Sequence, residues 1–142
     1  MAGLFVRQRE LKIATRLYQN TARIHFNQFA AAKDRFGRRL IYGGHVISLA
    51  RALSFNGLTN AFHIAAINGG RHVSPLFAGA TVFAWSEVLA KADLPGRQDV
   101  GALRLRLVAT KDHPGTDFPL KVADGDHPAV LLDLDYWVLV PK

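Results

Sequence analysis

Two stretches of complementary alternation most narrow what this chain can fold into. In ALRLRLV, residues 102–108, Leu103, Leu105 and Leu107 alternate with Arg104 and Arg106; in LLDLDYW, residues 131–137, Leu132, Leu134 and Tyr136 alternate with Asp133 and Asp135. A period of two is that of a strand with one face buried, and a slip of one residue would send the leucines into water and the charges into the core. If the two strands pair antiparallel, the arginines and aspartates become cross-strand partners on the solvent face. Each pair is then worth about 0.2–1 kcal/mol and needs no functional explanation.

Phe62–Asn68, Ala80–Lys91, Val100–Thr110 and Ala129–Val140 all read as strands, separated by the turn-rich stretches GGRHVSPLFAG, DLPGRQD and DHPGTDFPLKVADGDHP. The segment from Lys111 to Pro128 is long for a hairpin connection and is either mobile or functional. Ahead of the strands, Gly43 and Gly44 precede the run His45–Phe55, in which Val46, Leu49, Ala50 and Leu53 share one helical face and Gly57 supplies a stop. This run is apolar nearly all round, which predicts a buried helix. Residues 11–32 show a ragged helical pattern broken near Asn20 and Thr21, either of which could cap a second short helix. The expected fold class is α+β, an antiparallel sheet wrapped around one long helix.

Length and an apolar share of 49% suit one domain with a real core. The absence of cysteine excludes disulfides, thiolate catalysis and cysteine-based zinc sites. No run approaches the roughly 18–20 apolar residues of a membrane span, and MAGLFVRQRELK lacks a secretory core, so no membrane and a cytoplasmic location are expected. The formal charge of +7 asks for an anionic partner. Its arginines are scattered, only Arg35, Arg38 and Arg39 clustering. No nucleic-acid reading module accompanies them, so the expected partner is a phosphorylated small molecule and no nucleic acid.

Three groups could carry chemistry. Imidazole is the side chain best matched to moving protons near neutrality, and His25 lies five positions after Asn20, although one histidine at a helix start is as readily an ordinary polar residue. Gly43 and Gly44 let a ligand approach the backbone, and the helix that follows offers free N–H groups suited to a thioester oxyanion; the same pair could be only a turn. His45, His63 and His72 match no metal-ligand spacing, so no metal is expected, and NGGR, residues 68–71, has neither the glycines nor the Lys-Ser/Thr of a phosphate loop.

With these residues in view the chain resembles the MaoC-like hot-dog hydratases. The similarity lies in ATRLYQNTARIHFNQ, GRRLIYGGHVISLARALSFNGL, AAINGGRHVSPLFAGATVFAWSEVLAK, PGRQDVGALRLRLVATKD and VLLDLDYWVLVP, in that order from about Ala14 to Val140. It is strongest to the C-terminal half of the double hot-dog members that interconvert mesaconyl-CoA and β-methylmalyl-CoA. The resemblance implies a hot-dog fold over residues 14–142, with 1–13 a divergent segment and the first strand of the fold missing. It implies a hydro-lyase acting on an enoyl-CoA thioester, with no cofactor beyond the CoA of the substrate. Family members use an Asp and a His in the pattern D-x-N-P-L-H; here Asn20 stands at the Asp position and His25 at the His. An amide cannot exchange a proton at neutral pH, so His25 would move the proton and Asn20 would orient the water. Gly43 and Gly44 would bind the thioester oxygen, and Arg23 or Arg39 the distal carboxylate. A homodimer or another hot-dog domain is the expected partner. The same fold also serves acyl-CoA thioesterases and non-catalytic halves, and these readings stay open.

Overall fold

The computed structural model describes residues 3–115 and 121–142. In chain order its elements are β1 (Leu4–Phe5), α1 (Gln8–Leu17), α2 (Arg23–Phe26), α3 (Gln28–Ala31), α4 (Gly43–Leu53), α5 (Phe55–Leu58), β2 (His63–His72), β3 (Thr81–Asp93), β4 (Val100–Lys111), β5 (Lys121–Val122), β6 (Gly125–Asp126) and β7 (Val130–Pro141). Five strands make one antiparallel sheet in the order β1-β3-β4-β7-β2, while β5 and β6 form a separate small hairpin. The helix α4 lies on the inner face of the sheet. Its Val46 and Ala50 join Val82, Leu105, Leu107, Leu132, Leu134, Tyr136 and Val138 in the main core. No helix among the described residues is long and apolar enough to cross a membrane.

The alternating strands behave as their period demands. Leu105, Leu107, Leu134 and Tyr136 are buried, and the charged positions meet on the opposite face. Arg106 stands directly opposite Asp135 in the ladder, yet the bidentate pairs run diagonally. Arg104 donates to Asp135 at 3.0 and 2.6 Å, and Arg106 to Asp133 at 2.9 and 2.8 Å. Arg71 and Asn68 extend the row from β2, at 3.4 Å to Asp133 and 2.8 Å to Asp135. These forks hold both carboxylates below their ordinary range, the hydrogen bonds from Arg106 and from Arg104 being the first cause in each case.

Four expectations need correction. A first strand is present: Leu4 and Phe5 pair with Val82 and Thr81, Val6 behind them is fully buried, and α1 runs straight across residue 13. The stretch GGRH is not a turn but the last part of β2, because Gly70 passes so close to Leu134 that a Cβ there would lie 2.7 Å from its Cδ1. The segment after the break at residue 20 forms two one-turn helices, α2 and α3, rather than one. Finally, α4 begins at Gly43 and is covered on one side only: Val46 and Ala50 are buried, whereas Ser48 and Ala52 are exposed. Of the long segment from Lys111 to Pro128, residues 116–120 lie outside the described residues.

Candidate active site

The candidate residues come from two short stretches that the fold lays side by side. In the first, the Asn20 side-chain oxygen accepts the backbone N–H of Ala22 at 2.8 Å, closing a turn two residues before α2. The cap of α2 is Ala22, not Asn20 or Thr21, so Asn20 shapes the approach to the helix rather than capping it. Its side-chain NH₂ group has no partner among the described residues. In the second stretch, Tyr42 is the extended residue that opens α4. Its carbonyl accepts from the N–H groups of both His45 and Val46, at 3.0 and 3.3 Å. Gly43 and Gly44 occupy the first two helical positions, whose N–H groups have no acceptor within the helix.

His25 joins the two. Its Nδ1 lies 3.1 Å from the carbonyl oxygen of Leu40. A carbonyl only accepts, so Nδ1 carries the proton and Nε2 of the neutral ring keeps its lone pair. The ring also meets Tyr42 edge-on, centroids 5.7 Å apart, and Tyr42 in turn packs on Tyr18 at 5.6 Å. The Ser48 hydroxyl donates to the carbonyl of Gly44 at 2.9 Å, which makes the Tyr18 hydroxyl the donor in its own 2.9 Å bond to Ser48. A continuous set of contacts thus runs from α1 through the start of α4 to the imidazole. The chemistry available is that of an oriented base whose ring packs on the residue opening α4, a helix whose first N–H groups have no acceptor within it.

Both glycines lie close under neighbouring rings. A Cβ on Gly43 would sit 2.5 Å from Nε2 of His72, and one on Gly44 2.6 Å from Cε1 of Tyr42. Although His72 is exposed as a whole, the partial loss of water where its ring lies against Gly43 lowers it from the ordinary histidine range. Burial does the same for His45, against a smaller opposing effect from Glu10 at 4.0 Å. Arg23 is exposed on α2, whereas the Arg39 side chain turns to α1 and donates to Gln8 Oε1 at 2.5 Å. The structure therefore sets His25 and Gly44 against the same Tyr42 ring, places Gly43 beside His72, keeps Asn20 on the turn before α2, and engages Arg39 elsewhere. Among the described residues, no three His, Asp or Glu side chains converge as a metal site. Sequence reasoning missed Tyr42 and Tyr18, and weighed His72 only as a metal ligand. The position of Tyr42 just before a glycine pair was the one available signal, since a bulky ring beside a missing side chain suggests close packing.

The comparisons bear on this geometry. Over 141 residues, 99% of its length, the chain is 62% identical to the β-methylmalyl-CoA dehydratase of Chloroflexus aurantiacus. It is 59% identical over 143 residues to the mesaconyl-CoA hydratase of Cereibacter sphaeroides. A solved MaoC domain dehydratase from Chloroflexus aurantiacus superposes on the whole chain with a TM-score of 0.95 at 60% identity. The chain is a MaoC-like hot-dog domain. A Mycobacterium tuberculosis protein with a double hot-dog fold matches at 22% identity and a TM-score of 0.63, a likeness of fold alone, covering 99% of this chain and 36% of that one. The hot-dog domain spans about 40% of the length of each curated relative and 41% of the solved dehydratase. A comparison with protein-family models finds no match.

Proposed function

We propose that this hot-dog domain adds water reversibly across the double bond of an enoyl-CoA thioester, with mesaconyl-CoA and β-methylmalyl-CoA as the pair. The observation that carries the reading is the His25–Leu40 hydrogen bond, which leaves Nε2 free to act as a base on a ring that packs against Tyr42, the residue opening α4. The names of the two relatives supply the substrate class.

In the hydration direction, Nε2 of His25 takes a proton from a water held by the Asn20 amide as that oxygen bonds to the β-carbon. The π electrons move to the thioester oxygen, where the Gly43 and Gly44 N–H groups stabilise the enolate. The imidazolium then returns the proton to the α-carbon. One water is added, the thioester stays intact, and the step calls for neither an electron acceptor nor a metal. Of the two arginines considered for the substrate's distal carboxylate, Arg23 is exposed on α2 and suited to it, whereas Arg39 would first have to leave Gln8.

The partner in this reading is a second hot-dog domain, from another copy or from a companion chain. All ten residues of the edge strand β2 are exposed, Ile64 and Ile67 among them, and such an edge invites strand pairing. We place the protein in the cytoplasm, with acyl-CoA substrates.

Absorbance of the unsaturated thioester after mixing the chain with mesaconyl-CoA tests the reading. Loss of the enoyl signal without free thiol, abolished in His25→Ala, is the expected result. Release of free thiol would assign a thioesterase instead. Binding without turnover, restored by an added N-terminal hot-dog domain, would assign a half-enzyme.

A further inference from the structure

The positive charge of this chain sits in one half of the fold. Residues 1–62 hold ten Lys and Arg against Glu10 and Asp34, a balance of +8, whereas residues 63–142 hold eight against nine acids, a balance of −1. In the sheet half the cations are largely consumed: Arg71, Arg97, Arg104, Arg106, Lys121 and Lys142 all pair with carboxylates. Lys33, Arg35 and Arg38 have no carboxylate partner among the described residues. The nearby Asp34 carboxylate instead accepts the backbone N–H of Arg35 at 2.5 Å.

Each of the three lies over an aromatic ring. Lys33 Nζ is 4.2 Å from the centre of Phe29, Arg35 Cζ 4.4 Å from Phe36, and Arg38 Cζ 3.8 Å from Phe77. Phe36 and Phe77 meet edge to face at 5.8 Å. Arg35, Phe36, Phe77 and Arg38 therefore form one ledge of guanidinium, ring, ring and guanidinium. Gly37, at φ +65°, makes the turn that brings Arg35 and Arg38 to it. The ledge borders a cleft of about 280 Å³ whose walls include Arg35, Phe36, Leu40 and Gly43. The same cleft is thus lined by Leu40, whose carbonyl orients His25, and by Gly43, the first residue of α4.

A guanidinium laid on a ring loses water from one face and keeps its in-plane N–H donors, the geometry that grips phosphate. Aromatic faces stack on a purine. We propose that this ledge receives the phosphorylated nucleotide end of CoA, with Arg35, Arg38 and Lys33 on the phosphates and the Phe36–Phe77 pair against the adenine. The proposal rests on the acyl-CoA reading above and adds to it the residues that recognise the carrier rather than the acyl group.

Calorimetric titration of the chain with CoA, pantetheine and inorganic pyrophosphate tests it, in wild type and in the double variant Arg35→Ala, Arg38→Ala. Both side chains are exposed, so circular dichroism should match wild type. The double substitution should weaken CoA about tenfold or more, as expected for lost charge-assisted hydrogen bonds, and leave pantetheine unchanged. Equal CoA affinity in both proteins overturns the proposal. So does a wild-type chain that does not bind CoA, since every residue of the ledge lies on it. Pyrophosphate should weaken in the double variant as well, since the two arginines are its contacts; wild-type binding of pyrophosphate as tight as that of CoA would overturn the adenine contact with the Phe36–Phe77 pair. Failure of the hydratase reading looks different: wild type binds CoA tightly, the double variant does not, and the enoyl absorbance never falls.

Discussion

Gly44→Ala tests whether the aromatic contacts at the start of α4 hold the imidazole in place. A methyl on Gly44 would lie 2.6 Å from Cε1, 2.8 Å from Cζ and 3.0 Å from Oη of Tyr42. The helix backbone cannot yield by that much, so the tyrosine ring must swing away. That ring is the one on which His25 and Tyr18 pack, at 5.7 and 5.6 Å. Two such contacts are worth about 0.5–1.5 kcal/mol each, and alanine returns about 0.5–1 kcal/mol through its better helix propensity. The net loss is about 1 kcal/mol, a drop of about 4 °C in Tm for a chain of this size. Catalysis should suffer more, since a base displaced by about 1 Å costs about 100-fold in rate. Gly57→Ala is the control, because a Cβ there meets nothing within 4 Å. Thermal melts and hydration of mesaconyl-CoA should show Gly44→Ala slightly less stable and about 100-fold slower, and Gly57→Ala slowed by neither route. Wild-type kcat/KM in a Gly44→Ala protein whose Tm has fallen would refute the claim that Tyr42 positions His25.

Replacing His25 with Ala should lower kcat by about 10²- to 10⁴-fold while leaving the circular dichroism intact, the range for losing a general base; full activity would remove His25 from the mechanism. Asp133→Asn weakens the fork with Arg106, whose partners are 22% and 18% exposed, and should cost on the order of 2 kcal/mol in denaturant titration. Because the Asp133 carboxylate is held below its ordinary range in the fold, its contribution is full above about pH 4–5 and fades as pH falls through the folded value. The Asn variant should therefore lose part of the acid dependence of stability, and an unchanged acid limb would count against the fork. At the other end of the scale, burial raises the Tyr136 hydroxyl above its ordinary range, with Arg51 donating to it at 3.2 Å. Stability from this group is present below about pH 10 and lost as pH rises through the folded value. Tyr136→Phe should cost about 1 kcal/mol near neutrality and flatten that alkaline loss, as seen by melts from pH 8 upward.

What could be read ahead of the structure was what local pattern encodes. Leucines alternating with arginines or aspartates admit one strand face only, so β4 and β7, their pairing and their ion pairs were legible. What escaped depends on residues distant in sequence. The two-residue strand β1 is too short to show a period and exists because β3 offers Thr81 and Val82 as partners. Gly69 and Gly70 read as a turn because their local signal is a turn, and the side chain that packs where Gly70 lacks a Cβ, Leu134, belongs to β7. The proton position on His25 is set by a carbonyl fifteen residues away, which no spacing rule announces.

The departure at α4 has a different cause. Its sequence is apolar nearly all round, the pattern of a helix covered on every side, yet the sheet covers only the face of Val46 and Ala50. The pattern therefore asks for more burial than this chain supplies. The edge strand β2 asks for the same, with Ile64 and Ile67 exposed beside an unpaired ladder. A helix flank and a sheet edge that are both left unfinished, in a domain spanning about 40% of its relatives' length, are what a hot-dog domain built to meet a second one would show. On the acyl-CoA reading proposed above, the unpaired charge of the cation-rich helical half, with a balance of +8 over residues 1–62, would be matched by the phosphates of the substrate.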